Sequence, residues 1–300
     1  MNEVPTNYLF ALVKDLLGGG FPRLFRSQLP HSCHLPLFPP RFPPDGSFSP
    51  EHARALLSLT CYLTSQGCAE EIPEDRKRGF DVTPLLRSEE TAYLPGRGAR
   101  TYARLNCRQQ RECLGLFCYS QREDLALIIF TGTSSLCQWL DDFDYVQCPV
   151  SEVIEAGQGL AHWGFLRSYA SLRGQIQQLL ESRWSPSTQV AISGISLGGA
   201  LATLCAYDLA DFSPHLYTFA APSVFDPAGA GDFDQKVSSS HRVANGCDLI
   251  PSLPLPVMTA PYSEPLLYVQ TKGLFLFHSN LGNYVDNHTL AYLRQFGLGG

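Results

Sequence analysis

The stretch Val190-Ala191-Ile192-Ser193-Gly194-Ile195-Ser196-Leu197-Gly198, followed at once by Gly199-Ala200-Leu201-Ala202, decides how this chain folds. An apolar, β-branched run ends in Gly-x-Ser-x-Gly and passes into small residues suited to a closely packed helix. That order fits a strand-to-helix elbow, where a serine sits on a strained turn with its hydroxyl exposed. Residues two before and two after the serine crowd such a turn, so both must lack a side chain, as Gly194 and Gly198 do. Ser196 is then the candidate nucleophile. Leu197, at the helix N-terminus, aims its N–H at negative charge developing beside the serine. The plain alternative is a Gly/Ser turn in an ordinary βα unit; the strand before and the helix after favour the elbow.

The flanking segments alternate in the same way. Thr101–Asn106, Glu112–Tyr119 and Leu125–Thr131 read as strands, and the last is apolar enough to be buried on both faces. Phe165, Leu166, Tyr169, Leu172, Ile176, Leu179 and Leu180 repeat at helical spacing and predict a helix from Phe165 to about Glu181. Strands follow near Leu216–Ala220 and His241–Asn245, a strand pair flanks Thr271-Lys272-Gly273, and a last helix starts at about Thr289. Such alternation predicts an α/β fold with a mostly parallel sheet covered by helices on both faces. Residues 1–50 read as an extended arm rich in Pro and Phe, and 51–300 as the folded domain, opened by the helix start Ser49-Pro50-Glu51.

Composition narrows the function classes. Three hundred residues with 44% hydrophobic content can bury a sizeable core, and a formal charge of −6 argues against a nucleic-acid partner. Met1 to Pro5 show no basic signal-peptide start, and Lys14 and Asp15 interrupt the apolar run from Tyr8 to Leu17. The ten cysteines include no Cys-x-x-Cys pair, so reduced thiols in a cytoplasmic protein are expected, with leaderless secretion as the alternative. His31, Cys33 and His34 lack a second ligand pair, and no metal or cofactor is expected.

A serine needs a base, an orienting acid and oxyanion donors. Downstream of Ser196, Asp248 in Asn245-Gly246-Cys247-Asp248-Leu249-Ile250-Pro251 is the best acid, ahead of Asp226, Asp232 and Asp234, which lie in a Gly/Asp-rich stretch read as a solvated loop. Asp286 is a local rival. His288, at the entrance to the terminal helix, is the best base, with His278 and His241 behind it. Phe130-Thr131-Gly132-Thr133 is the turn after a buried strand, and Thr133 there can offer a second oxyanion N–H. Beyond it, Trp139 and Leu140 share a face opposite Asp141 and Asp142. That segment reads either as a lid exposing apolar surface to lipid or as a fixed core helix.

These motifs in order resemble the class 3, fungal-type triacylglycerol lipases of the α/β-hydrolase fold. The resemblance spans Phe130-x-Gly132-Thr133 with Trp139-Leu140-x-Asp142, His162-x-Gly164-Phe165, the elbow, Tyr217-Thr218-Phe219, and Arg242-Val243-x-Asn245 through Pro254. It implies Ser196, Asp248 and His288 as a triad, Thr133 and Leu197 as oxyanion donors, and a lipid ester substrate met through transient contact with lipid interfaces. A phospholipase A1 of the same fold, or a silent lipid-binding module built around the arm, is the rival. Three positions depart from the family: Ile195 replaces a His, Thr131 an Arg, and Ser223 an Arg after Pro222.

Overall fold

Strand β4 (Leu125–Phe130) is buried at all six positions and divides its side chains between two layers. Ala126, Ile128 and Phe130 enter one apolar cluster; Leu125, Leu127 and Ile129 enter another. Only a sheet covered on both faces can satisfy such a strand. In the computed structural model, which describes residues 41–66, 90–94, 98–107, 112–120, 123–132, 146–258 and 264–298, that sheet has eight strands. With β1 (Glu90–Leu94), β2 (Gly98–Cys107), β3 (Glu112–Ser120), β7 (Gln189–Ile195), β8 (His215–Phe219), β9 (Ser239–Asn245) and β12 (Leu274–Phe277), the order is β1-β2-β3-β4-β7-β8-β9-β12. The first three pairings are antiparallel and the last four parallel, so the chain crosses the sheet from one edge to the other. Two small pairs lie outside it: β5 (Gln147–Pro149) with β6 (Leu160–His162), and β10 (Val257–Met258) with β11 (Leu266–Leu267).

One face carries α2 (Trp163–Glu181), α3 (Leu197–Asp208) and α4 (Pro227–Lys236); the other carries α1 (Pro50–Gln66) and α6 (Leu290–Gln295), with α5 (Tyr284–His288) just before it. Every apolar position expected on the core face of α2 is buried. Each fully buried Phe or Leu there contributes about 1.5–3 kcal/mol. Helix α3 is buried almost all round because Gly199, Ala200 and Ala202 let it lie close to the sheet.

Residues 41–49 cross the strand starts as a strap. The Phe42 N–H donates to Gln189 Oε1, Ser239 Oγ donates to Gly46 O, and Phe48 stacks on Phe275 at 4.6 Å. Phe42 also stacks on His52 and His215. Ser49 caps α1 by accepting the His52 N–H.

Two expectations need correction. The stretch holding Asp226, Asp232 and Asp234 is helix α4, not a solvated loop: Asp226 caps it, Pro227 starts it, and Phe233 anchors it to the core. The strands around Gly273 do not pair with each other; β11 pairs with β10 and β12 with β9. The terminal helix starts at Leu290 with Thr289 as its N-cap, as expected, and His288 ends a separate short helix, α5, just before it. Among the described residues, no helix is long and apolar enough to cross a membrane and no cluster could hold a metal ion. Cys148, Cys205 and Cys247 are free thiols.

Candidate active site

The elbow forms where β7 meets α3. Ser196 adopts φ 56° and ψ −127°, a region that costs a non-glycine residue about 1–3 kcal/mol. Neighbouring bonds hold it there: its N–H donates to Phe219 O at 2.9 Å, and its carbonyl accepts the Gly199 N–H at 2.9 Å. A Cβ on Gly194 would strike the Gly198 carbonyl, and one on Gly198 would meet Thr131 O at 2.5 Å and Phe130 O at 2.6 Å. Strand end, turn and helix thus touch backbone to backbone. The Leu197 N–H occupies the first position of α3, where no preceding turn supplies an acceptor. Ser196 is 3% exposed, and its Oγ has no hydrogen-bond partner among the described residues; no Ser196–His288 bond is formed here.

Acid and base come from the turn after β9 and from the last residue of α5, both beyond the parallel strand ends. His288 Nδ1 and Asp248 Oδ2 lie 2.8 Å apart, both side chains all but inaccessible to solvent. Asp248 Oδ1 accepts the Ile250 N–H at 3.0 Å, and Oδ2 also accepts the Tyr292 hydroxyl at 2.8 Å. Two asparagines brace both segments. Asn245 Nδ2 donates to Ser279 O and Asn287 O, and Asn287 Nδ2 donates to Cys247 O. Burial and then the Asp248 charge push the Tyr292 phenol well above its ordinary range.

The rival residues have other partners. Asp286 is half-buried, and its Oδ2 accepts from Asn283 Nδ2 at 2.7 Å. Asp226 accepts the Leu160 and Gly229 N–H groups, Asp232 holds Lys236 and Tyr207, and Asp234 accepts the Lys272 N–H. His278 is exposed against Gly246, while His241 packs on Tyr217 and Phe48 beneath the strap. Thr133, Trp139 and Leu140 lie outside the described residues, as do His31, Cys33 and His34.

At the departures from the family, Ile195 is buried in the cluster shared with α1, and Thr60 Oγ1 meets Ser193 Oγ at 3.3 Å behind the elbow. The Thr131 N–H donates to Leu114 O, and Ser223 is buried with its N–H on Leu253 O. Sequence reasoning did not single out Tyr292, Asn245 or Asn287 as site residues, because their bonds are made across the fold. His162 was legible only as part of a motif. It caps α2, its Nδ1 accepting the Gly164 and Phe165 N–H groups, and burial lowers its pKa to about 4.

Residues 127–258 match the family model described as Lipase (class 3). Among curated proteins, the chain is 36% identical over 141 residues to a lipase of Rhizomucor miehei, covering 44% of this chain and 38% of that one. It is 26% identical over 157 residues to phospholipase A1-II 1 of Oryza sativa, covering 43% and 39%. The chain thus spans about two fifths of the length of these relatives. A solved Rhizomucor miehei lipase–propeptide complex, in a deletion-mutant form, superposes with TM-score 0.53 at 20% identity over 94% of this chain and 92% of that one. The fold is that of the α/β-hydrolase lipases.

Proposed function

We propose that this chain, which carries a class 3 lipase segment, hydrolyses carboxylic esters of lipids through Ser196, His288 and Asp248. Ser196 Oγ bonds to the ester carbonyl carbon while His288 Nε2 takes its proton. The tetrahedral intermediate collapses, the bond to the leaving alcohol breaks, and His288 returns the proton to that oxygen. Water repeats both steps on the acyl-enzyme and frees the acid. Asp248 keeps the proton of neutral His288 on Nδ1 and stabilises the imidazolium. The Leu197 N–H, with that of Thr133, stabilises the oxyanion. No cofactor enters the reaction.

The observation that carries the proposal is the buried 2.8 Å bond between His288 and Asp248, forty residues apart, in a fold whose elbow strains Ser196 into place. The Ser196–His288 hydrogen bond then forms with substrate, as such bonds often tighten only in the Michaelis complex. A fluorophosphonate should label wild-type protein and spare folded Ser196→Ala, whose ester turnover should drop by about 10⁴ or more. Labelling or turnover surviving in folded Ser196→Ala would overturn the proposal, and a silent lipid-binding module would not react at all.

The rice relative favours a second reading for the head group, a phospholipase A1. A panel of glycerides and phospholipids separates the two by which sn-1 ester is cut faster. The free Cys148, Cys205 and Cys247 support a reducing, cytoplasmic location.

A further inference from the structure

Tyr292 lies within the site yet has no part in the reaction above. Its residue is fully buried on α6, and its ring meets Phe277 edge-on at 5.1 Å, which fixes the phenol. The hydroxyl accepts the Asn245 N–H at 2.9 Å and donates to Asp248 Oδ2 at 2.8 Å, the same oxygen that faces His288 Nδ1. With the Ile250 N–H on Oδ1, the carboxylate is held from three directions. The backbone bond to Asn245 consumes a phenol lone pair and leaves the O–H directed at Asp248.

Resting on the triad reading, we infer that Tyr292 is a positioning residue that sets the pH at which His288 gives up its proton. A carboxylate oxygen shared between two donors spreads its charge over both. Remove the phenol, and the whole of that oxygen's basicity acts on the imidazole. The imidazolium is then better stabilised, and His288 holds its proton to higher pH. The other ionisable groups around the pair are Arg242 on β9, whose Nε donates to Thr271 O, the half-buried Cys247 thiol, exposed His278 after β12, and Asp286 on α5. None of them changes in the variants below.

The test is the pH profile of kcat/KM on a water-soluble butyrate ester, measured with the full chain. Tyr292→Phe should move the acid limb upward by about 0.5 pH unit and lower kcat roughly tenfold, with KM within about twofold. Incorporating 3-fluorotyrosine at Tyr292 keeps both bonds but donates more strongly, so the limb should move the other way. A merely structural role would lower melting temperature or kcat and leave the limb where it was; that result overturns the inference. If Tyr292→Phe does not fold, the fluorinated protein decides alone: a limb at the wild-type position refutes the inference. Ser196→Ala separates the failures. Activity surviving in that variant sinks the triad reading itself, whereas an inactive Ser196→Ala with unmoved Tyr292 limbs sinks only the role given to Tyr292.

Discussion

Substituting Gly198→Ala tests whether the elbow is placed by backbone contact. The new Cβ would lie 2.5 Å from Thr131 O and 2.6 Å from Phe130 O, about 0.8 Å closer than ordinary contact. Neither oxygen is a flexible side-chain end. Phe130 pairs with Gly194 in the sheet, and the Thr131 N–H is tied to Leu114 O. Relief must therefore come from the start of α3 or from the turn at 130–132. The first carries the Leu197 N–H and the second leads into Thr133, so either movement changes the gap between the proposed oxyanion donors. A displacement approaching 1 Å costs on the order of 10² in kcat. Overpacking should add about 1–3 kcal/mol of destabilisation, roughly 2–10 °C in melting temperature. Steady-state hydrolysis of a soluble butyrate ester and thermal unfolding by circular dichroism measure both. Gly174→Ala is the control, since a Cβ there meets nothing within 4 Å on the exposed side of α2. It should leave kcat unchanged and stabilise by about 0.5–1 kcal/mol. A Gly198→Ala protein that melts lower yet keeps wild-type kcat would show that the turn yields elsewhere, and the positional argument would be wrong.

Other outcomes follow from the same geometry. Asp248→Asn should lower kcat by about 10⁴ by favouring the wrong His288 tautomer, while Asp286→Asn costs little; the reverse ranking in folded variants transfers the role. Burial holds His52, His162 and His215 near pKa 4 and lowers His241, with the two neighbouring histidines adding to the effect on His215. Because their folded values lie below the unfolded 6.5, the native state binds fewer protons, so stability is full above pH 6.5 and lost as pH falls towards 4. Unfolding midpoints across that window should fall, and His215→Asn should flatten the slope; an unchanged slope refutes the assignment. If Trp139 and Leu140 form a lid, turnover of a lipid ester should jump when substrate aggregates, and Trp139→Ser should blunt the jump; a smooth saturation curve excludes gating. Titration of denatured, unreduced protein should find close to ten thiols, and a count of only a few would point to disulfides and an oxidising compartment.

What was legible in the sequence was local or periodic. The elbow is written in consecutive residues, because Gly194 answers to the Gly198 carbonyl four positions on, although Gly198 itself answers to Phe130 and Thr131 at the end of the neighbouring strand. Helix α2 is written in its spacing, and β4 in an unbroken apolar run. Helix α4 was misread because Ala228, Gly229 and Gly231 supply no stripe, and Phe233 alone ties it strongly to the core. The choice of Asp248 over Asp286 needed a stereochemical argument, and the structure turns Asp286 towards Asn283. Tyr292 carried no signal at all: a tyrosine on an apolar helix face reads as core, and its hydroxyl finds its partner only after β9 and α6 meet. The strap was legible as Pro and Phe content but not as a path.

That path has a directional consequence. Arg41 and Phe42 reach the domain beside Asp124 and Gln189, where β4 and β7 begin, whereas Ser196 and Asp248 stand where β7 and β9 finish. Entry and chemistry therefore occupy opposite rims of one sheet. A solid support or fluorophore tethered at residue 41 would sit on the rim opposite Ser196 and Asp248. Pulling on the same tether would load the strap first, shearing Phe42 from between its two histidines before any force reached the elbow.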